Sequence, residues 1–261
     1  MDVLSGKAPL HGKRILITRA TLQAKATVQE TLRRGGIAVH FPCLELQCLA
    51  DNIHQGLALL DEHNAEALFS SVNGVQCVAI TLGKDFSSTF RRVKTAAVGQ
   101  KTADALRQYH IQPDIVPEQH SQDGLIETYL ERGIPERLVF FRAEEGREAL
   151  AMALEQQDST VHTISSYRTI CPQGDAPDVI TDLKGGRIDA VMLGSSKTAR
   201  HYVQRIGDIA IANNTAIAVI SQQVAAVAKQ LGLDVQIVAK EASFASMLDG
   251  LAAHFQSLTG A

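Results

Sequence analysis

The sequence predicts an α/β fold built from two similar domains. Each is a parallel sheet covered by helices, and a two-stranded β linker joins them. Three observations carry this. Short apolar runs alternate with amphipathic stretches, the pattern of strands alternating with helices. Three blocks recur in the same order at nearly one offset. Two β-prone, proline-bearing stretches fall at equivalent places between those blocks.

The elements follow in chain order. RILIT (14–18) is the first strand, and 23–34 is an amphipathic helix. IAVHF (37–41), EALFS (66–70) and TAAVG (95–99) are the next strands. A helical pattern covers 121–132 before RLVFF (137–141), and another covers 146–157. DAVML (189–193) and AIAVI (216–220) complete the strands, followed by helices over 196–206 and 222–231. Runs this short and this apolar suit strands buried on both faces.

The repeat organises these elements. KRILITRA (13–20) resembles ERLVFFRA (136–143), 123 residues on. EALFSSVNGV (66–75) resembles DAVMLGSSKTA (189–199). The stretch 96–125 runs against 218–247 at an offset of 122. That offset is too long for a solenoid and implies a duplicated domain. FPCLELQ (41–47) and the stretch around Tyr167 (165–172) lie where a chain can cross between domains. The repeat leaves two arrangements open: two sequential domains, or two domains that exchange their first blocks.

Composition excludes several classes. The 261 residues carry 25 basic and 28 acidic side chains, net −3, which is not the footprint of a nucleic-acid binder. No apolar run approaches the ~20 residues of a membrane helix. MDVLSGKAPLHGKR has no apolar core, so no signal peptide is expected. Cys43, Cys48, Cys77 and Cys171 form no C-x-x-C pair and read as free thiols, which points to a reducing cytoplasm. The nine histidines form no H-x-x-x-H or H-E-x-x-H pair, so no metal is expected. There is no phosphate loop, no G-x-G-x-x-G after the first strand and no G-x-S-x-G, so no cofactor is expected.

What recurs is a small hydroxyl just after a strand. Ser70-Ser71 follow EALF, Gly194-Ser195-Ser196 follow DAVML, and Thr102 follows AAVGQK. Open α/β sheets bind ligands at that edge, and helix N-termini there suit carboxylates or phosphates. The ordinary role of such residues is to cap helices. Arg19 and Arg142 share one repeat position at the end of a first strand. Each is a candidate fork for a carboxylate, or the partner of a neighbouring Glu such as Glu144 or Glu145. Lys101 is a candidate cation beside Thr102. Tyr167 is one of four tyrosines. Its ring suits a hinge, and its phenol is protonated at neutral pH and able to donate.

In this order, the pieces resemble the uroporphyrinogen-III synthase family along nearly the whole chain. They are KRILITRA, ALFSSVNGV, AAVGQKTADAL with IQPDIVPEQHSQDGL, FFRAEEGREAL, SYRT and DAVMLGSSKTARHY. The resemblance implies the exchanged arrangement, with 1–40 plus 173–261 as domain one and 45–165 as domain two. The linkers are then 41–47 and 165–172, and Tyr167 faces the interdomain cleft. It implies a cofactor-free lyase that cyclises hydroxymethylbilane with loss of water and inversion of the last ring. Tyr167 is the implied proton donor. Ser71, Thr102 and Ser195 are implied binding positions. Arg19, Arg142 and Lys101 join them as cations for a substrate with eight carboxylates. A cytoplasmic monomer, with transient contact to the preceding pathway enzyme, is the family expectation. Two departures stand out. ISQQVA puts Ser221 where the family has Gly and Val224 where many members have Thr. LGSS puts Gly194 where Thr is common. The rival reading is a cofactor-free, two-lobed ligand-binding protein, or a non-catalytic relative.

Overall fold

Each apolar run of the sequence becomes a strand of a parallel sheet. The computed structural model describes residues 8–61, 64–174 and 176–259. Residues 1–7, on which the reading of the N-terminus partly rests, lie outside them. The strands are β1 (Arg14–Ile17), β2 (Ile37–His40), β3 (Glu45–Cys48), β4 (Ala65–Phe69) and β5 (Thr95–Ala97). They continue with β6 (Arg137–Ala143), β7 (Thr160–Ile170), β8 (Ala190–Leu193), β9 (Ala216–Val219) and β10 (Val235–Val238).

Two five-stranded sheets result, ordered β10-β9-β8-β1-β2 and β3-β7-β6-β4-β5. Strand β1 pairs in parallel with β8, and β6 pairs in parallel with β4. A first-block strand of each copy therefore lies beside later strands of the other copy. The contacts divide the chain accordingly. One unit takes the chain up to Glu45 and from Ile170 on, and the other is Leu46–Thr169. We call them the split unit and the central unit.

In each unit, alternate strand residues feed two cores. In the split unit Leu16, Val191, Leu193, Ile217 and Val219 pack on one face with Tyr202 and Leu183. Ile15, Ala190, Met192 and Ala218 pack on the other with Met247, Leu248 and Leu251. In the central unit Ala67, Phe69, Val139 and Phe141 face helix Val72–Leu82. Leu68, Leu138 and Phe140 face Leu125, Tyr129, Leu150 and Leu154. Burial on both faces is why these strands read as unbroken apolar runs.

The expected helices appear at Thr21–Arg33, Gln122–Arg132, Ala149–Glu155, Ser196–Ile206 and Gln222–Gln230. The stretch around Tyr167 is no loop. It is the last part of β7, one eleven-residue strand, and β3 lies beside it in the sheet. Among the described residues no helix is long and apolar enough to cross a membrane, and no cluster of three or more His, Cys, Asp or Glu could hold a metal ion.

The cysteine reading needs correction. Cys48 and Cys77 are joined in a disulfide, and only Cys43 and Cys171 are free. Their sequence separation of 29 carried no signal, because the pairing is tertiary. Cys48 ends β3, and helix Val72–Leu82 brings Cys77 to a Cα–Cα distance of 5.2 Å. The argument for a reducing compartment is thus left with two thiols rather than four.

Candidate active site

Four helices, three of them directly after a strand, begin with the same device. Ser71, Ser121, Ser195 and Ser221 are N-caps in extended backbone, and each accepts a hydrogen bond from an N–H three residues on. Free N–H groups at a helix start need such acceptors. The capping role expected of Ser71 and Ser195 is therefore present. Ser71 does more. Its Oγ lies 2.8 Å from the hydroxyl of Tyr167. Ser195 Oγ instead meets Thr198 Oγ1, 2.7 Å away in its own helix.

Tyr167 reaches Ser71 because of a bulge. In a regular strand Ile164 and Tyr167, three apart, point to opposite faces. Here both enter the core beneath helix Val72–Leu82. The register supplies the extra residue, pairing Arg142 with Ser165 and Ala143 with Tyr167. Ser166 is the residue skipped, fully buried, with its Oγ donating to Arg142 O at 3.0 Å. Bulges re-aim side chains in this way beside functional sites. Tyr167 is 7% exposed, and its carbonyl accepts from Glu144 N–H at 2.9 Å. Sequence reasoning missed Ser166. The small pair Ser165-Ser166 before the tyrosine was the available signal.

The other candidates divide by surroundings. Thr102 is buried in the first turn of helix Gln100–Arg107, and Lys101 beside it is exposed. That helix starts at Gly99, where a Cβ would approach His120 Cβ at 3.1 Å. The structure does not bring Thr102 or Lys101 into hydrogen-bond contact with the Ser71–Tyr167 pair. Arg142 is 6% exposed and enclosed. It donates to Arg147 O at 3.0 Å and pairs with Glu148. Arg19 is half-buried, with its guanidinium 4.3 Å from the centre of the Phe244 ring. Its nearest polar partners are Thr27 Oγ1 at 3.4 Å and Gln23 Oε1 at 3.5 Å. Among the described residues no carboxylate forms an ion pair with it. Burial holds this guanidinium below its ordinary pKa.

Both departures have local causes. A Cβ at Gly194 would stand 2.4 Å from Phe244 Cζ, so the ring beneath Arg19 occupies the space a threonine needs. Ser221 caps helix Gln222–Gln230 through Val224 N–H at 3.4 Å, and Val224 is buried in the core.

These features define a class: a duplicated parallel α/β protein whose strand ends present hydroxyls, a buried phenol and a carboxylate-free arginine, with no motif for nucleotide or metal. The family model of uroporphyrinogen-III synthase HemD matches residues 25–249. The chain belongs to the uroporphyrinogen-III synthase family, enzymes of tetrapyrrole biosynthesis. A uroporphyrinogen-III synthase of Synechococcus elongatus is 28% identical over 255 residues, covering 93% of this chain and 94% of that protein. A putative uroporphyrinogen-III synthase of Methanothermobacter thermautotrophicus is 25% identical, covering 74% and 77%. The crystal structure of uroporphyrinogen-III synthetase from Helicobacter pylori shares the fold at a TM-score of 0.60 and 14% identity, over 93% of this chain and 99% of that one. A mutant Thermus thermophilus uroporphyrinogen III synthase does so at 0.53 and 16%, over 94% and 100%.

Proposed function

We propose that the protein is a cofactor-free lyase that closes hydroxymethylbilane to uroporphyrinogen III, with inversion of the last ring and loss of water. The Ser71–Tyr167 hydrogen bond carries this reading. The substrate must lose its terminal hydroxyl to form an azafulvene. An acid that protonates the departing oxygen lowers that barrier. A phenol held by a serine suits the task. Either hydroxyl can donate in this bond; with Ser71 as donor to the Tyr167 oxygen, the phenol's own proton is free for the leaving group. The same Ser71 bond and the positive end of helix Val72–Leu82 then stabilise developing phenolate charge.

The bilane also closes unaided to the uninverted isomer, so much of the catalysis is steering. The chain must be held so that the substituted carbon of the last pyrrole attacks first. Arg19, stacked on Phe244 and without a carboxylate partner, is the best-placed carboxylate receptor. Ser195 and Thr102 offer hydroxyls, Lys101 an exposed cation. Arg142 is the weakest of the proposed contacts, since Glu148 already holds it. Action as a cytoplasmic monomer belongs to this proposal.

The test is an isomer assay. Freshly made hydroxymethylbilane is fed to the purified chain, and the oxidised products are separated as type I and type III. Predominant type III without added cofactor supports the reading. Type I alone, at the rate without protein, overturns it and leaves a ligand-binding relative. Tyr167→Phe is expected to lower kcat about 10- to 100-fold with little change in KM.

A further inference from the structure

The Cys48–Cys77 disulfide joins the helix capped by Ser71 to β3, the strand that lies beside Tyr167's own strand β7. Cys77 lies in helix Val72–Leu82, whose N-cap is Ser71. Cys48 ends β3, and the chain on either side of it is bonded to β7 around Tyr167. Gln47 Oε1 accepts from Arg168 Nε at 2.7 Å. Leu49 N–H donates to Ser166 O, and Asn52 Nδ2 to Ser165 O, both at 3.0 Å. These links close a ring. It runs from Ser71 to Tyr167, along β7 to the 47–52 segment, across the disulfide, and back to Ser71 through less than two helical turns.

We propose that the Cys48–Cys77 disulfide is a positioning element for Tyr167, and that its redox state sets the Ser71–Tyr167 geometry. The inference rests on the reading of Tyr167 as proton donor. A hydroxyl–hydroxyl bond is short-ranged and directional, so a small slide of the helix along the sheet breaks it. The disulfide is the covalent tie in the ring that opposes such a slide. A dithiol opens it in one balanced exchange. The protein disulfide accepts two electrons and two protons to give two thiols, and the dithiol becomes a cyclic disulfide. The two remaining cysteines do not compete. Both lie in the split unit, and burial pushes the thiols of Cys43 and Cys171 up, away from the reactive thiolate. In a reducing compartment a disulfide is usually transient, and catalytic or redox-sensing.

The experiment follows Tyr167 and turnover together. Isotope-labelled tyrosine gives one NMR signal for each of the four tyrosines, and Tyr167→Phe assigns its own. Spectra, thiol counts and isomer-assay kinetics are taken on oxidised protein, after dithiothreitol, and after reoxidation with oxidised glutathione. The denatured oxidised chain is expected to show two free thiols and the reduced chain four. Reduction is expected to move the Tyr167 signal and not that of Tyr202 in the split unit, and to lower kcat severalfold with KM nearly constant. Both changes reverse on reoxidation. The variant Cys48→Ala/Cys77→Ala is expected to match the reduced protein and to ignore dithiothreitol. Four free thiols in the oxidised protein, or a Tyr167 signal and kcat indifferent to reduction, overturn the proposal. Absence of type III product in every state instead overturns the proposed function, while a moving Tyr167 signal still upholds the mechanical coupling.

Discussion

Arg19 and Arg142 end equivalent strands of a duplicated chain, yet their surroundings have diverged. Arg19 stacks on Phe244 and, among the described residues, forms no ion pair with a carboxylate. Arg142 is wrapped by its own loop and paired with Glu148. The connections explain the difference. After β1 the helix begins at Thr21, with no acidic residue in its first turn. After β6 the helix waits until Ala149, and the intervening loop brings the Arg147 carbonyl and Glu148 onto the guanidinium. Gly146 permits the approach, since a Cβ there would lie 2.6 Å from Arg142 Nη1. A repeat thus conveys position but not role. The same holds where Gly99 and Thr102 in one copy correspond in sequence to Ser221 and Val224 in the other.

The largest expected contrast lies in stability. The disulfide staples the central unit alone, and closing a loop of this length is worth about 3.6 kcal/mol. Cys48→Ala/Cys77→Ala is expected to speed hydrogen exchange at core amides of β4, β6 and β7 by the matching factor. Amides of β1, β8 and β9 should be unmoved. Equal acceleration in both sheets would show that the two units unfold as one.

The arginines come next. Arg142→Met is expected to cost about 1–2 kcal/mol, because a buried guanidinium loses its place while Glu148, itself largely exposed, can rehydrate. Its KM should hold. Arg19→Met is expected to leave thermal unfolding nearly unchanged and to raise KM about tenfold, the loss of one charge-assisted contact. A KM effect from Arg142→Met and none from Arg19→Met would reverse the assignment of the two forks.

Much of this was legible in the sequence, for a physical reason. Strands buried on both faces are continuous apolar runs, and β1, β4, β6, β8 and β9 announce themselves so. Strand β3, ELQC with alternating exposure, does not. Helix Val72–Leu82 is nearly apolar throughout and hides its period. At the candidate site, hydroxyls after strands were visible as a pattern, and Tyr167 stood in one of the two stretches where the chain can cross between domains. What set Tyr167 against Ser71 was a bulge at Ser166, and what tied the Ser71 helix to the strand beside Tyr167 was a pairing of Cys48 with Cys77. Both are relations between distant segments, to which no local composition is sensitive.

The serine caps give a smaller and sharper contrast. Ser71→Ala and Ser195→Ala each remove one N-cap acceptor and are expected to cost about 1 kcal/mol of stability. Only Ser71→Ala also removes a partner of the phenol. It should lower kcat severalfold beyond any effect of Ser195→Ala, and Ser71→Thr should restore most of it. Equal kinetic losses in the two variants would reduce Ser71 to a cap.

The smallest effect concerns the other end of the strands, where the copies carry opposite charge. Lys13 and Glu136 hold one repeat position. Lys13 pairs with Asp189 at 2.9 Å, while Glu136 accepts from Asn64 Nδ2 at 3.3 Å. Next to Lys13, Asp182 receives Arg187 Nε and Arg14 Nη2, both at 2.7 Å. The bond from Arg187, with the charge of Arg14 behind it, holds the Asp182 carboxyl below its ordinary value. A depressed carboxylate contributes stability above its unfolded pKa and loses it as pH falls through the folded one. Asp182→Asn is therefore expected to lower the unfolding temperature of the split unit slightly at pH 7. The gap to wild type should close as pH falls below about 4, where the unfolded-state carboxylate takes up its proton. The effect should also shrink in high salt, because the cluster is partly exposed. A gap that stays constant from neutral to acid pH would mean that Asp182 acts through the shape of its hydrogen bonds and not through its charge.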